Sequence, residues 1–404
     1  MHGTVAFPPL MLRSVLQYAS WFSVALRDSR LRTVLRSHAR PVDPAGEPLD
    51  TLVPAALGAL AGHLRKAQDS GPDRGLGSFH LVQGWGGSYP ETTGYLVPTM
   101  LAMARRLGDD DLRKRALAAA DWLVSIQRPD GGWQGGRVGE DRPSVVFNTA
   151  QVVRGLMAVH DADGGAGYMK AAERACEWIL RVQEPDGSWA GHNFLGVRRV
   201  YDTYVSAPLL HMAERTGRNA FREAALRNLR WVLSRQQPNG WFADADNTVK
   251  HNARPITHTI AYTVDGLLEC HLRTGDRQWL DAAIRPAQAM LDEYGRIGLL
   301  RGRYNAQWHG TEAAITTGCA QFAIVWARLH RLTGDPRWQQ GCEGMVRWLV
   351  AIQRRSAAGP DPMHGAVTGS FPFWGRYEKF ACPNWAQKYF ADALLCTEGQ
   401  LPRH

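Results

Sequence analysis

GRNAFREAALRNLRWVLSRQQPNGWFADADNTVKHNARPITHTIAYT, residues Gly217–Thr263, contains two predicted helices joined by a long loop. The first helix follows the turn Thr216-Gly217-Arg218 and carries apolar residues at helical spacing. It stops at Gln236-Gln237-Pro238-Asn239-Gly240-Trp241, where Gly permits a left-handed cap and Pro cannot continue the helix. A polar loop leads to a second, more apolar helix that begins near Arg254. This unit recurs along the chain, which indicates a repeat architecture.

Six such helical pairs are predicted between Leu52 and Cys396. The second helix of each pair is richer in Ala, Leu, Val and Gly, as expected of a helix that is buried on all sides. The first helix is more charged, and no sustained period-two alternation predicts strands. The sequence therefore predicts an all-α fold, an (α/α)6 toroid with an inner and an outer ring of helices. We expect one toroid domain over residues 49–404, preceded by a basic, helical extension over residues 1–48 that packs on it.

The composition restricts the function and the location. The 404 residues include 45% hydrophobic residues, and the net charge of +9 favours an acidic partner. No aromatic-basic motif predicts nucleic-acid binding, and no Cys or His spacing predicts a metal or a cofactor. Without an apolar run of about 20 residues or a signal peptide, a cytoplasmic location is expected. Leu10–Leu26 is expected to pack on the domain, with weak membrane-surface contact as the alternative; the sequence does not fix an oligomeric state.

The long loops are predicted to lie at one end of the barrel. Turns after inner helices are short, whereas the loops before them are long, and long loops on a rigid scaffold usually carry function. The inner helices begin at this end, where their partial positive charge favours anions. Capping alone explains Thr92, Ser144, Thr257 and Thr311. The predicted catalytic residues are Glu91, Asp202, His258, Tyr262 and Glu312, and the predicted substrate-binding residues are Asn148, Tyr201, Arg301, Arg303, Trp308, His309, Asn384, Trp385 and Lys388.

Asp202 and His258 begin adjacent inner helices, so we expect their side chains to face one cavity. A carboxyl group acts as a general acid if apolar neighbours raise its pKa, and as a base if it stays charged. The imidazole, with an ordinary pKa of about 6.5, is suited to the complementary role.

The Gln-x3-Gly-x-Trp turns, such as Gln183 to Trp189, resemble the QW motifs of squalene–hopene cyclases and related terpenoid-cyclase toroids. We expect the Trp to hold the loop on neighbouring helices and the Gln to bind free carbonyls. The Asp-x-Asp-Asp acid of those cyclases has its nearest match at Asp244-Ala245-Asp246-Asn247, which lacks the last Asp. The zinc site of protein prenyltransferases has no match.

Two inner-helix segments resemble unsaturated glucuronyl hydrolases. Tyr201–Leu210 is similar to the segment that carries their acid/base aspartate, and Thr311–Gly318 is similar to their Glu-Thr-Ser-Gly helix. The second aspartate of that family would fall near Asn148, a departure from its pattern.

The expected function is therefore that of a carbohydrate-active enzyme that uses acid–base catalysis on an acidic, uronate-bearing saccharide. Hydrolysis is the first expected reaction. A uronate lyase or C5-epimerase is the alternative, because toroid enzymes of those two types use His and Tyr. A terpenoid cyclase or prenyltransferase requires a deep aromatic cavity, and a non-catalytic glycan-binding protein is a further alternative.

Overall fold

The computed structural model describes residues 9–400, with side chains from Leu16 onward. Twelve helices in this range form six consecutive pairs, which confirms the predicted α/α toroid. Two further helices precede them, α1 (Pro9–Arg27) and α2 (Ser29–His38). The outer helices are α3 (Leu49–Asp69), α5 (Asp110–Ser125), α7 (Ala166–Arg181), α9 (Asn219–Leu233), α11 (Arg277–Ile297) and α13 (Pro336–Ser356). The inner helices are α4 (Pro90–Leu107), α6 (Val146–Asp163), α8 (Thr203–Thr216), α10 (Thr257–Thr274), α12 (Thr316–Thr333) and α14 (Asn384–Thr397).

The inner helices form a closed ring. Each contacts the next in the order α4, α6, α8, α10, α12, α14, and α14 returns to α4. Their middle turns are buried almost all round, which explains the small and apolar residues of these segments. Three of the short turns behind them, those after α4, α10 and α12, share one pattern, in which a left-handed Gly ends the inner helix and an Asp caps the outer one. Gly275, with φ +70°, and Asp276, which accepts from the Gln278 amide, are an example.

Glutamine side chains tie five of the six outer helices to the next one in the ring. Gln183 Nε2 donates to Gly187 in its own turn, at 3.1 Å, and to Ala224 of α9, at 2.9 Å. Gln353 repeats this contact between its turn and Ala56 of α3, so that the last outer helix is joined to the first. Trp189 fixes the same turn as Gln183, since its buried indole donates to the Ile179 carbonyl at 2.9 Å. The Gln side chains of these turns therefore bind backbone carbonyls, as expected. The indoles of Trp133 and Trp189 do the same, whereas the buried Trp241 N–H has no hydrogen-bond partner in the described structure.

Within residues 9–400, seven two-residue strands order the long loops. β1 (Phe79–His80) pairs with β2 (Gly84–Trp85) and β7 (Ala381–Cys382), β3 (Arg303–Tyr304) pairs with β4 (Gly310–Thr311), and β5 (Ala314–Ile315) pairs with β6 (Ser370–Phe371). All of these pairs are antiparallel. They fold the segments before α12 and α14 over the long-loop end of the barrel.

Helix α1 lies against the loop that precedes α14. The rings of Tyr18 and Phe22 meet Phe380 at centroid distances of 5.9 and 5.1 Å, and Trp21 contacts His80 at 4.5 Å. In the described range no helix is both long and apolar enough to cross a membrane. The six cysteines are free and buried, as expected of reduced core thiols.

Candidate active site

A cavity of about 650 Å³ opens at the long-loop end of the inner ring. The first turns of the inner helices and the loops before them form its wall. Its side chains are mainly aromatic, amide or charged, and the principal ones are Tyr89, Glu91, Tyr95, Arg142, Phe147, Asn148, Asn193, Tyr201, His258, Tyr262, Arg376, Tyr377, Glu378 and Trp385. A concave site with aromatic walls and a few converging polar groups is typical of small-molecule binding.

Tyr262 stands at the centre of the aromatic wall. Its ring contacts His258 and Phe147 at centroid distances of 4.4 and 5.0 Å, and it also meets Tyr389 at 5.7 Å. Burial, and then the neighbouring charge of Glu91, raise the pKa of Tyr262 well above its ordinary value. The phenol is therefore neutral at physiological pH and available as a hydrogen-bond donor.

Glu91 lies in the first turn of α4, directly after Pro90 and the Tyr89 cap. Burial raises the pKa of its carboxyl group to about 7, and a hydrogen bond with Tyr89 partly opposes that rise. A carboxyl group with this pKa is protonated in a large fraction of molecules at neutral pH. Glu91 is thus suited to donate a proton to a bound molecule.

His258 lies in the first turn of α10, and its ring is almost fully buried. Its Nδ1 lies 2.7 Å from Oε1 of Gln321, an acceptor, so in this arrangement Nδ1 carries the hydrogen. Burial lowers the pKa of His258 to about 4, and the Gln321 contact partly opposes the fall. The imidazole is consequently neutral at pH 7, with an unprotonated Nε2 that can accept a proton.

Glu91 and His258 come from opposite sides of the inner ring, because α4 and α10 are three helices apart in a closed ring of six. The His258 ring contacts Tyr262, and the charge of Glu91 acts on the pKa of Tyr262. The cavity thus holds a proton donor and a proton acceptor on facing walls. This arrangement allows proton transfer to opposite faces of one bound molecule.

Two arginines lie at the rim of the cavity. Arg142 and Arg376 both line it, and their side chains are 54% and 80% exposed. Arg142 pairs with Glu140 at 2.8 Å, and Arg376 makes a longer contact of 3.3 Å with Glu312. Guanidinium groups at an open rim can exchange these partners for the carboxylate of a ligand.

Six of the residues singled out from the sequence line this cavity: Glu91, Asn148, Tyr201, His258, Tyr262 and Trp385. The structure places the other eight elsewhere, which corrects the expectation that one rim holds them all.

Asp202 does not face the cavity as expected, since a short 3-10 turn before α8 buries it completely. Its Oδ2 accepts a hydrogen bond of 2.7 Å from Asn193, and Asn193 lines the cavity. Burial raises the pKa of Asp202 well above its ordinary value, although Asn193 and the Arg199 charge oppose this. The carboxyl group is therefore connected to the cavity through Asn193.

Asn384 and Lys388 of α14 are buried beneath the cavity rather than exposed to it. Asn384 Nδ2 donates to the Leu76 carbonyl at 2.8 Å, and Lys388 pairs with Asp392 at 2.7 Å. The Lys388 ammonium also lies 3.9 Å from the centre of the Tyr389 ring. The Asn384 contact joins α14 to the segment before α4, whereas the two Lys388 contacts lie within α14 itself.

Glu312 was expected to begin an inner helix, but α12 starts only at Thr316, after strand β5. Glu312 instead has a left-handed backbone and contacts Arg303 and Arg376, each at 3.3 Å. Arg303 is paired with the buried Asp246 at 3.0 Å and so holds loops together.

Arg301, Trp308 and His309 belong to the loop around strands β3 and β4, outside the cavity. The Trp308 indole donates to the Asn239 carbonyl at 3.1 Å, which fixes the neighbouring Gln-Gly-Trp turn. The His309 amide donates to Asn305, and the Arg301 carbonyl accepts from Thr257. All three residues therefore have a part in loop structure.

The two aspartates of the segment nearest to the cyclase acid motif already have partners within the protein. Asp244 pairs with Arg235 at 2.8 Å, and Asp246 accepts from Arg303 and from the Thr248 amide and hydroxyl. Neither carboxylate lines the cavity, although Asn247 does. The described part of the chain also contains no group of three His, Cys, Asp or Glu residues arranged to hold a metal ion.

Several cavity residues were not predicted from the sequence. Tyr89 and Tyr95 flank Glu91, and their positions at the start of α4 were a usable signal. Arg376, Tyr377 and Glu378 come from the long loop before α14, which reaches the cavity by strand pairing. No local pattern in the sequence predicts that this loop reaches the cavity.

The fold places the chain in the class of α/α toroid proteins, and known structures share it. A cellobiose 2-epimerase from Spirochaeta thermophila has a TM-score of 0.69 at 14% identity, covering 92% of this chain and 98% of that one. An unsaturated glucuronyl hydrolase from Bacillus sp. GL1 has a TM-score of 0.66 at 15% identity, with 86% and 98% coverage. At these identities the likeness shows the fold alone, and it confirms the expected structural resemblance.

The sequence itself resembles another group of toroids. A model of the squalene–hopene cyclase C-terminal domain matches residues 89–195. A lanosterol synthase of Aspergillus fumigatus is 25% identical over 184 residues, which are 43% of this chain and 23% of that protein. A squalene–hopene cyclase of Bradyrhizobium diazoefficiens is 33% identical over 113 residues, 26% of this chain and 16% of that protein. The chain thus spans less than a quarter of the length of these relatives.

Proposed function

We propose that the cavity is the active site of an enzyme that acts on a uronate-bearing saccharide by acid–base catalysis. The observation that carries the proposal is the pair of groups on facing walls, a Glu91 carboxyl with a pKa of about 7 and a neutral His258 imidazole. The two exposed arginines of the rim support an anionic substrate, and the tyrosines and amides supply hydrogen bonds and flat surfaces for sugar rings.

The arrangement favours chemistry at C5 of the uronate, where the hydrogen is α to the carboxylate. In this proposal Nε2 of His258 accepts the C5 proton, and an arginine of the rim offsets the charge that develops on the carboxylate. Glu91 then donates a proton. Delivery to the opposite face of C5 gives epimerisation, whereas delivery to the departing oxygen at C4 gives elimination and an unsaturated uronate.

Hydrolysis is the second candidate, because glucuronyl hydrolases share the fold and a protonated Glu91 also suits protonation of a glycosidic oxygen. A terpenoid cyclase is less well supported. The aromatic wall would suit it, but the two carboxylates nearest to the cyclase motif, Asp244 and Asp246, are paired outside the cavity.

The test is product analysis on a panel of acidic polysaccharides such as hyaluronan, heparosan, chondroitin, alginate and polygalacturonate. C5 deuterium incorporation in heavy water indicates epimerisation, an unsaturated-uronate absorbance indicates elimination, and new reducing ends without that absorbance indicate hydrolysis. Glu91→Gln and His258→Gln should each lower turnover by about 10²–10⁴-fold.

Glu223→Gln, on the exposed side of α9, is the matched control and should retain wild-type turnover. Full activity of both cavity variants would contradict the assignment of their roles. An absence of product from every saccharide, combined with cyclisation of an isoprenoid, would overturn the proposed function.

A further inference from the structure

A second, shallower cavity of about 450 Å³ lies beside the candidate active site, and Arg376 lines both. Its wall consists of Arg254, Thr311, Glu312, Ala313, Trp374, Gly375 and Arg376. The shared arginine makes the two cavities neighbours along one surface at the long-loop end. A ligand that extends out of the first cavity past Arg376 would therefore enter the second.

The frame of this second cavity is held from both sides. Strand β5 pairs with β6, with Ala314 opposite Phe371, which brings the loop around Trp374 next to Glu312. Glu312 contacts Arg303 and Arg376, and Arg303 is itself fixed by Asp246. The cavity is thus built from paired strands and ion pairs.

The charge in this cavity is not balanced. Glu312 is its one carboxylate in the described structure, and two guanidinium groups, those of Arg254 and Arg376, line it. Arg254 is exposed and forms no ion pair with any residue in the described range. The Arg376 side chain is 80% exposed, and among the described residues its one ion pair is the 3.3 Å contact with Glu312. A second anionic group of a ligand would complete this arrangement.

Trp374 adds an aromatic surface. One part of its ring packs on Phe373 and Phe22, at centroid distances of 5.1 and 6.2 Å, and the ring is only partly buried. Tryptophan anchored in this way presents a large, rigid surface at low entropic cost, with a polar N–H group at its edge. Two guanidinium groups beside such a surface suit an acidic sugar ring better than a free inorganic anion.

We infer that the second cavity is a subsite for the neighbouring acidic residue of an oligomeric substrate, whose chain crosses Arg376 between the two cavities. The inference rests on the proposed function and deepens it, because it makes the substrate a polymer with acidic groups on more than one residue. Arg254 binds the second acidic group, Trp374 supports the sugar ring, and Arg376 contacts the chain between them.

The test is a length series. Disaccharide, tetrasaccharide and hexasaccharide are prepared from the panel polymer that the wild-type protein turns over or, failing turnover, from heparosan. Their affinities are measured by calorimetry in the Glu91→Gln background, where turnover is suppressed. The tetrasaccharide and hexasaccharide should bind more tightly than the disaccharide. Arg254→Gln should weaken their binding about threefold to tenfold, as expected for a lost charge-assisted contact at an exposed site, and leave the disaccharide unchanged.

Arg277→Gln removes the same charge from the exposed start of outer helix α11 and is the matched control. Trp374→Leu, checked by thermal unfolding because it contacts Phe22 and Phe373, should reproduce the length-dependent loss. The subsite inference is overturned, while the proposed function stands, in either of two cases. In the first, the Glu91→Gln protein with Arg254 in place binds all three lengths equally. In the second, the Arg254→Gln change affects their affinities equally. Binding of none of them overturns both.

Discussion

Gln353 closes the outer ring of helices, and its removal tests the account of the fold. Its Nε2 donates to the carbonyls of Ala56 and Gly365 at 2.9 and 2.8 Å, and the side chain is buried. Each hydrogen bond contributes about 1 kcal/mol, and the truncation also leaves a small void. We therefore expect Gln353→Ala to lower the free energy of unfolding by about 2–3 kcal/mol in urea titrations followed by circular dichroism.

Gln339→Ala is the control on the same helix, because Gln339 is exposed and its one hydrogen bond in the described structure goes to Glu343, one turn away. That change should alter the free energy of unfolding by less than about 0.5 kcal/mol. Gln183→Ala, which removes the equivalent pair of bonds within the ring, should resemble Gln353→Ala. If Gln353→Ala and Gln339→Ala unfold at the same urea concentration, the glutamine bridges do not hold the ring together.

Three further changes have definite expected results. The value of kcat/KM should rise with pH as His258 loses its proton, with a pKa of about 4, and should fall as Glu91 loses its proton, with a pKa of about 7. Glu91→Gln should abolish the fall at higher pH. A value of kcat/KM that keeps rising to about pH 9 would exclude Glu91 as the acid. Gly187→Ala should cost about 2–4 kcal/mol of stability by chemical denaturation, because φ is +93° and a Cβ would lie 2.7 Å from the Arg227 carbonyl; wild-type stability would show that the turn can shift. Because its pKa is raised, Asp202 holds its proton more tightly in the folded protein than in the unfolded chain. This group therefore contributes stability below pH 3.8 that is lost as pH rises, and Asp202→Asn should remove that loss. If the variant and the wild-type protein show the same pH dependence of unfolding, a buried, neutral Asp202 is contradicted.

The fold could be predicted from the sequence because its signals are local. The turn Thr274-Gly275-Asp276 ends one helix and caps the next within three residues. The segment from Gln183 to Trp189 follows the end of α7 and contains a left-handed glycine, and the side chains of its Gln and Trp bind backbone carbonyls. Such signals repeat, and each helix pair needs only its neighbours to be buried. Hence the order and the pairing of the helices follow from the composition of the helical segments and from the residues that end and cap them.

The site was predictable only where it lies on the helices themselves. Glu91 and His258 occupy first turns whose positions the helical pattern fixes. Glu312 was misplaced because strand β5 pairs with β6, more than fifty residues further along the chain, and delays the start of α12. Asp202 was misplaced because a 3-10 turn directs it behind Asn193. These departures depend on contacts distant in sequence, which helical periodicity does not record.

The central claim is that the cavity holds a uronate between Glu91 and His258, and a crystal structure of the Glu91→Gln protein with a bound acidic oligosaccharide tests it most directly. The account predicts a uronate ring in the cavity with C5 facing Nε2 of His258, the side-chain amide introduced by Glu91→Gln on the opposite face, and the carboxylate at Arg142 or Arg376. A sugar bound away from this cavity, or bound in it with C5 turned from both groups, would contradict the account.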